Sequence, residues 1–298
     1  MARLETAGSS TRSTSGAQNR IRPQLWDRAG KITGIVLAYL VGLIFFLPFY
    51  WMVSTALKTP GQTFLSPPAW IPSPFVFSNF PDAINYIPFG LYTLNTLKIA
   101  VPSVVGTLLS CSLVGYGFSR IQAPGRDLLF YVMLSTMMVP WAVTMVPLFI
   151  LFKQLGWSGT YLPLIVPHFF GSAYYIFLFR QFFKTIPMEL SEAAILDGCS
   201  QLGIMWRIIM PLAKPIIITV GLFEFNRVWN DYLAPLIFLN RQEQFTIALG
   251  LTYFLDRDLP MWNLAMSGAT IAVFPVLVAF FFAQRSFIEG ITLTGLKG

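Results

Sequence analysis

Charged side chains are so sparse along most of this chain that they delimit long uncharged runs. Residues 32–57, 99–119, 128–152, 154–179 and 259–284 contain no Asp, Glu, Lys or Arg. Each run is long enough for a helix of about 20 residues to cross a hydrocarbon core ~30 Å thick. A sixth apolar stretch, 208–239, is interrupted by Lys214, Glu224, Arg227 and Asp231, and reads as a span with a polar face. Lipid offers no partner to a backbone N–H or C=O, so helices are the expected form of all six.

Composition agrees: 55% of the 298 residues are hydrophobic and 11% charged, against about 25% charged in ordinary soluble domains. The net charge of +7 raises the question of nucleic acid. The basic residues, however, lie between apolar runs and form no patch interleaved with aromatics, so no nucleic-acid partner is expected. They report topology instead. Of the 20 Lys and Arg, Lys98 and Arg227 fall within spans. With the N-terminus inside, Lys58, Lys153, Arg241 and Arg257 face outward and the rest face the cytoplasm, the bias of the positive-inside rule. The reading is an all-α, multi-pass protein of the cell (inner or plasma) membrane, with six spans and both termini cytoplasmic. The first run is too long for a cleavable signal and has no clean small-residue site after it, so it stays as an anchor. Cys111 in the second span and Cys199 in a cytoplasmic loop are not expected to pair.

Residues 1–30, rich in Ser, Thr, Gly, Arg and Gln, read as a disordered basic cytoplasmic tail, and 31–298 as the membrane domain. The outer segment 58–90 holds Pro60, Pro67, Pro68, Pro72, Pro74, Pro81 and Pro88. It is expected to be an irregular cap, either a partner surface or a mere connector. In the loop 240–262, the stretch 245–251 is too short to span and is expected at the membrane interface, beside the charged Asp256, Arg257 and Asp258.

The loop between the fourth and fifth spans predicts a short helix of about 10 residues. Pro187 suits its first position, Glu189 its first turn and Gly198 its C-terminal cap. A second helical stretch, about 201–209, leads to Pro211. Small Ala193, Ala194 and Gly198 allow another surface to approach closely, and Glu192 and Asp197 offer charge to a basic partner. On physical grounds alone a hairpin packed on its own bundle is an equal alternative.

Glu192-Ala193-Ala194, then Gly198, Ile208 and Met210-Pro211, resembles the loop E-A-A-x3-G-x9-I-x-L-P of binding-protein-dependent ABC importers, Met210 replacing Leu. The resemblance extends further. Phe179-Arg180-Gln181-Phe182-Phe183 with Ile186-Pro187, Asp197-Gly198-Cys199-Ser200, and Trp229-Asn230-Asp231-Tyr232 with Pro235-Leu236-Ile237 are similar to carbohydrate importers of the maltose and glycerol-3-phosphate class. So is the ending Gln284-Arg285-Ser286-Phe287 with Gly290, Gly295 and Lys297-Gly298, where Leu296 replaces the usual Ala. Over residues 30–298 the chain looks like the second, six-span permease of that class.

That resemblance implies a coupling loop at about 187–211 that docks an ATPase through Glu192, Ala193, Ala194, Asp197 and Gly198. It implies as partners a second permease, two ATP-binding subunits and an extracytoplasmic sugar-binding protein, with an oligosaccharide or related glycoside as cargo. ATP and Mg would sit on the ATPase: this chain contains no G-x-x-x-x-G-K-[ST] loop. No enzyme activity, cofactor or metal site is expected in the chain itself.

Charges within spans are costly and usually face a bundle interior. At about 100° per residue, Glu224, Asn226, Arg227, Asn230 and Asp231 share one side of the fifth span, while Phe225, Val228, Trp229, Tyr232 and Leu233 share the other. Glu224–Arg227 and Arg227–Asp231 have ion-pair spacing. The face therefore either lines the translocation pathway or is a self-neutralised triad fastening this span to the partner permease. His168 reads as a hydrogen-bonded packing residue, and Gly115-Tyr116-Gly117 as a close-packing patch. A self-sufficient secondary transporter of a small polar solute is the competing reading. It would want repeats and matching broken helices, and only one span is interrupted. An intramembrane enzyme would need a nucleophile with its base, which one His and two separated Cys do not supply.

Overall fold

The computed structural model describes residues 18–255 and 260–295, giving backbone alone for 18–29 and 285–295. Residues 1–17, the charged cluster at 256–258 and the ending Leu296, Lys297 and Gly298 lie outside the described residues. Every regular element among the described residues is helical. Four helices, Gly30–Ala56, Phe89–Arg120, Leu162–Thr185 and Trp262–Gln284, are long and apolar enough to cross a membrane, and two bent pairs bring the number to six if each is one span.

Helix α1 (Gln18–Ala56) starts inside the stretch expected to be a disordered tail. Once the apolar run nucleates a helix, each added residue gains a hydrogen bond, and Gln, Arg, Leu and Ala upstream are favourable formers. Along residues 30–50 it is exposed on all sides, Tyr39 and Phe45 at 73%. A helix apolar on every side is suited to an apolar surrounding.

The second body, from Val53 on, begins with the end of α1 and the proline-rich segment. As its prolines demand, that segment is irregular apart from α2 (Pro60–Thr63) and α3 (Asn79–Tyr86). Buried Asn79 ties it down. Its amide donates to the carbonyls of Ala56 and Lys58, both at 2.8 Å, and its Oδ1 accepts from Asn263 at 3.0 Å.

Helix α4 (Phe89–Arg120) is the centre of this body and begins ten residues before the uncharged run. Its buried side includes many small or polar residues, Asn95, Thr96, Ser103, Gly106, Thr107, Ser112 and Gly115, beside the larger Tyr92, Ile99 and Tyr116. Such residues let apolar helices approach closely, because packing rather than hydrophobicity drives association in lipid. A Cβ on Gly106 would lie 2.6 Å from the Phe169 ring, and one on Gly115 2.7 Å from Phe179 Cβ. Gly117 faces open space, so only one glycine of the expected patch packs closely.

The third apolar run is broken. Helices α5 (Arg126–Ser135) and α6 (Trp141–Gln154) flank a 3-10 turn, and the pair bends by 95° before Pro140. The fourth span differs from the expected 154–179. Gly156 and Gly159, both at positive φ, turn the chain after α6. Then α7 (Leu162–Ile165), a 3-10 segment Val166–Phe170 and α8 (Ala173–Thr185) follow. Pro163 and Pro167 cannot donate to a continuous helix, and Gly171 at φ +87° resets it.

After α8 come α9 (Glu189–Leu196), α10 (Gln201–Ile204), a π-turn Met205–Ile209 and α11 (Met210–Leu212). Helix α12 (Lys214–Trp229) then departs at 81°. Pro211 and Pro215 flank that bend. Sixteen residues give α12 about 24 Å, and α13 (Leu233–Phe238) follows as a separate short helix. The segment expected at the interface is instead buried. In α14 (Ile247–Gly250) and the following turn, Ile247, Leu249 and Phe254 are at most 3% exposed. Thr96 Oγ1 accepts from Ile247 N–H, and Asn95 donates to the Glu243 and Phe245 carbonyls. Gly250 lets Tyr92 lie against its backbone. These residues fill the space between α4 and α15 (Trp262–Gly295).

Candidate functional site

Two regions hold the residues singled out in the sequence. The first is the loop around α9. It is eight residues long, shorter than expected because Pro187 precedes the helix and does not start it. It closes with Gly198 at φ +79°, where Gly198 N–H donates to Ile195 and Cys199 N–H to Ala194. This is the Schellman arrangement that glycine permits. Ala194 is 6% exposed and belongs to the core of Phe179, Phe183, Ile204 and Met205, so its small size serves the protein's own packing. Glu192, Ala193, Asp197 and Gly198 point to solvent. Among the described residues, neither Glu192 nor Asp197 makes an ion pair. Exposed apolar side chains stand around them, Leu196 at 88% and Leu202 at 59%. The result is a glycine-capped, exposed knob with acidic charge that forms no ion pair among the described residues and an apolar rim.

Its base is held by two arginines. Arg120, at the last turn of α4, donates through Nη2 to the carbonyls of Phe183 and Ile186, both at 2.6 Å. Arg180 on α8 donates to the Phe118 carbonyl, lies 3.5 Å from Asp127 and stands 3.9 Å over the Phe130 ring. In the sequence Arg120 was an inner-side positive charge and Arg180 part of the stretch that resembles carbohydrate importers; the backbone carbonyls that accept from them are reported by no side-chain pattern.

The second region is the polar side of α12. Glu224 is fully buried and receives Arg227 through both oxygens, Nε at 2.9 Å and Nη2 at 2.7 Å. His168, from the 3-10 segment Val166–Phe170, completes the group with Nδ1 2.9 Å from Glu224 and 3.1 Å from Arg227 Nη2. The expected Arg227–Asp231 pair is replaced: Asp231 accepts from Ala234 N–H. Helix α12 ends at Trp229, so i,i+4 geometry does not carry to Asp231. Asn230 donates to Asn226 and both are exposed. The opposite side, Val228 and Trp229, is protein core.

Arg227, Asp231 and His168 border a cavity of about 670 Å³, with Trp141, Trp157 and Phe238 among its walls. Asn226 and Asn230 are not on it. Thus Glu224 is a neutralised anchor, Arg227 and Asp231 face the cavity, and the asparagines lie apart. No group of three His, Cys, Asp or Glu able to hold a metal occurs among the described residues.

Residues 106–292 match the family described as binding-protein-dependent transport system inner membrane component. The chain belongs to this family. It is 32% identical over 89% of its length to the probable starch degradation products transport system permease protein AmyC of Thermoanaerobacterium thermosulfurigenes, covering 94% of that protein. It is 37% identical over 68% of its length to the arabinooligosaccharides transport system permease protein AraQ of Bacillus subtilis (strain 168), covering 72% of it. In fold it is similar to a chain in the crystal structure of a bacterial ABC transporter involved in the import of the acidic polysaccharide alginate. That match has a TM-score of 0.73 and 23% identity, covering 87% of this chain and 98% of the other. The family first read from the E-A-A loop is therefore the right one: the chain is a multi-pass permease component of a transport system and not itself an enzyme.

Proposed function

We propose that this chain is one of two permeases in an ATP-driven importer of oligosaccharides or related glycosides, and that α9 is its docking knob for an ATPase subunit. The observation that carries the reading is the exposed, glycine-capped α9, with Glu192, Ala193 and Asp197 turned outward on a clamped base. Charges held in fixed geometry with no internal partner suit a basic cleft on another protein. In this reading the bent pair α5–α6 is one span and α12 another, giving six with the four long helices, and both termini are cytoplasmic, which puts α9, Arg120 and Arg180 on the inner side. The sugar class is supported by relatives named for starch degradation products, arabinooligosaccharides and lactose. A binding protein outside would deliver the sugar, two ATPases inside would carry ATP and Mg, and the cavity at Arg227 and Asp231 would form part of this chain's half of the passage.

The test is purification of the tagged chain from its own cells in mild detergent, with mass spectrometry of what accompanies it. An ATPase with a phosphate-binding loop and a second multi-span permease are expected. Recovery of the chain alone, or only with copies of itself, would overturn the reading in favour of a self-sufficient transporter.

A further inference from the structure

Arg120 is only 6% exposed, yet it has no carboxylate partner within 4 Å among the described residues. Its two terminal nitrogens meet acceptors from one short stretch of chain, 183–191, the Met188 sulfur among them at 3.2 Å from Nη1, while Nε has no hydrogen-bond partner among the described residues. Nη2 reaches the Phe183 and Ile186 carbonyls at 2.6 Å, and Nη1 lies 3.3 Å from the Pro187 carbonyl and 3.5 Å from Ser191 Oγ. Phe183 is in the last turn of α8, Ile186 and Pro187 are in the connection, and Ser191 is in α9. A single planar group therefore joins the ends of three helices. Burying an unpaired guanidinium is a costly way to gain stability alone. What it supplies is direction, since several donors in a fixed fork hold several carbonyls at once.

We infer that Arg120 is a positioning residue that ties the docking helix α9 to α4, so that movement of α9 is passed to the membrane helices. The inference rests on the proposed docking role of α9. Covalently, α9 is connected to α8 before it and to α10 after it, through short segments that can bend. Arg120 adds a direct link to α4, the helix whose small-residue stripe packs against α8. Arg180, donating from α8 to the carbonyl of Phe118, two residues before Arg120, closes the same junction from the other side. With both in place, α4, α8 and α9 move as one body. Without Arg120, α9 can stay docked while its displacement is absorbed in residues 186–188.

The test uses the complete importer in lipid vesicles and reads the ratio of ATP hydrolysis with and without added binding protein. That protein is isolated with its own sugar from the same cells. Arg120→Gln is expected to keep the ATPase subunits bound and to lower the ratio at least several-fold toward one. Arg120→Lys, which keeps the charge but not the fork, is expected to fall between. A wild-type ratio in Arg120→Gln overturns the inference, and so does loss of the ATPase subunits from both variants, which would reduce Arg120 to a fold residue. If the wild-type complex itself shows no ratio above one, the importer reading fails instead.

Discussion

Arg227 holds both carboxylate oxygens of Glu224, at 2.9 and 2.7 Å, while the carboxylate itself is removed from solvent. A bidentate pair of this kind is worth less as a source of stability than as something dangerous to break. Removing one partner strands a buried charge, typically at 3–5 kcal/mol. With Arg227 half-exposed and His168 still beside the carboxylate, Arg227→Gln is expected to cost about 3 kcal/mol. Glu224→Gln with Arg227→Gln together should cost less than the sum of the single changes. Thermal unfolding in detergent across the four forms measures the coupling. Additive losses would mean that the pair is incidental.

Close packing of α4 on α8 makes the opposite prediction for two neighbouring glycines. A Cβ at position 115 would press on Phe179 and come within 3.3 Å of the Arg180 backbone nitrogen. Gly115→Ala should therefore destabilise by about 1–3 kcal/mol. Gly117→Ala meets nothing and should be neutral or stabilising by up to ~1 kcal/mol, through helix propensity. Retention of folded protein after heating separates the two, and equal behaviour would refute the packing argument.

Gly198 has open space around it but a φ of +79°. Its constraint is backbone geometry and not room. Gly198→Ala should cost about 1 kcal/mol, while Gly198→Asn is tolerated better because Asn visits that region. Uptake should follow the order Gly, Asn, Ala. A tolerated Ala with an impaired Asn would point to side-chain bulk against a partner instead.

Glu192→Lys reverses a charge that makes no ion pair among the described residues, so membrane insertion and thermal stability should stay as in the wild type. Uptake and ATPase co-purification should both be lost. Asn230→Ala removes the two side-chain bonds to Asn226, at its carbonyl and its Oδ1, on an exposed face. It should leave assembly intact and change uptake if that face meets sugar, whereas failed assembly would make it a permease interface.

Asn79 receives and donates across three segments at once. Asn79→Ala removes the amide that joins Asn263 to the Ala56 and Lys58 carbonyls, although Ala56 keeps Ser267 Oγ, and should cost about 1–3 kcal/mol. A lowered unfolding midpoint is expected, with faster proteolysis of the proline-rich segment. An unchanged midpoint would mean that water replaces the amide.

The uncharged runs, the α9 loop and its glycine cap were all legible in the sequence, because each depends on neighbours a few residues apart. Hydrophobic length sets where lipid can be, and helix caps act within a turn. Where the runs break was not legible: by charge, 128–152 and 154–179 read as uninterrupted spans, and only the folded chain shows the bend before Pro140 and the turn at Gly156. What depended on distant segments was not legible. A wheel drawn through residues 224–233 assumed one continuous helix. The chain leaves that helix at Trp229, so Asp231 accepts from Ala234 N–H instead, and His168, from another segment, takes its place beside Arg227. The inward face of Ala194 and the carbonyls around Arg120 were likewise set by how α4, α8 and α9 meet. Local spacing can specify a helix and its ends. Which groups are buried together, and which buried charge is satisfied by which backbone oxygen, is decided only when close packing brings remote parts of the chain within hydrogen-bond reach.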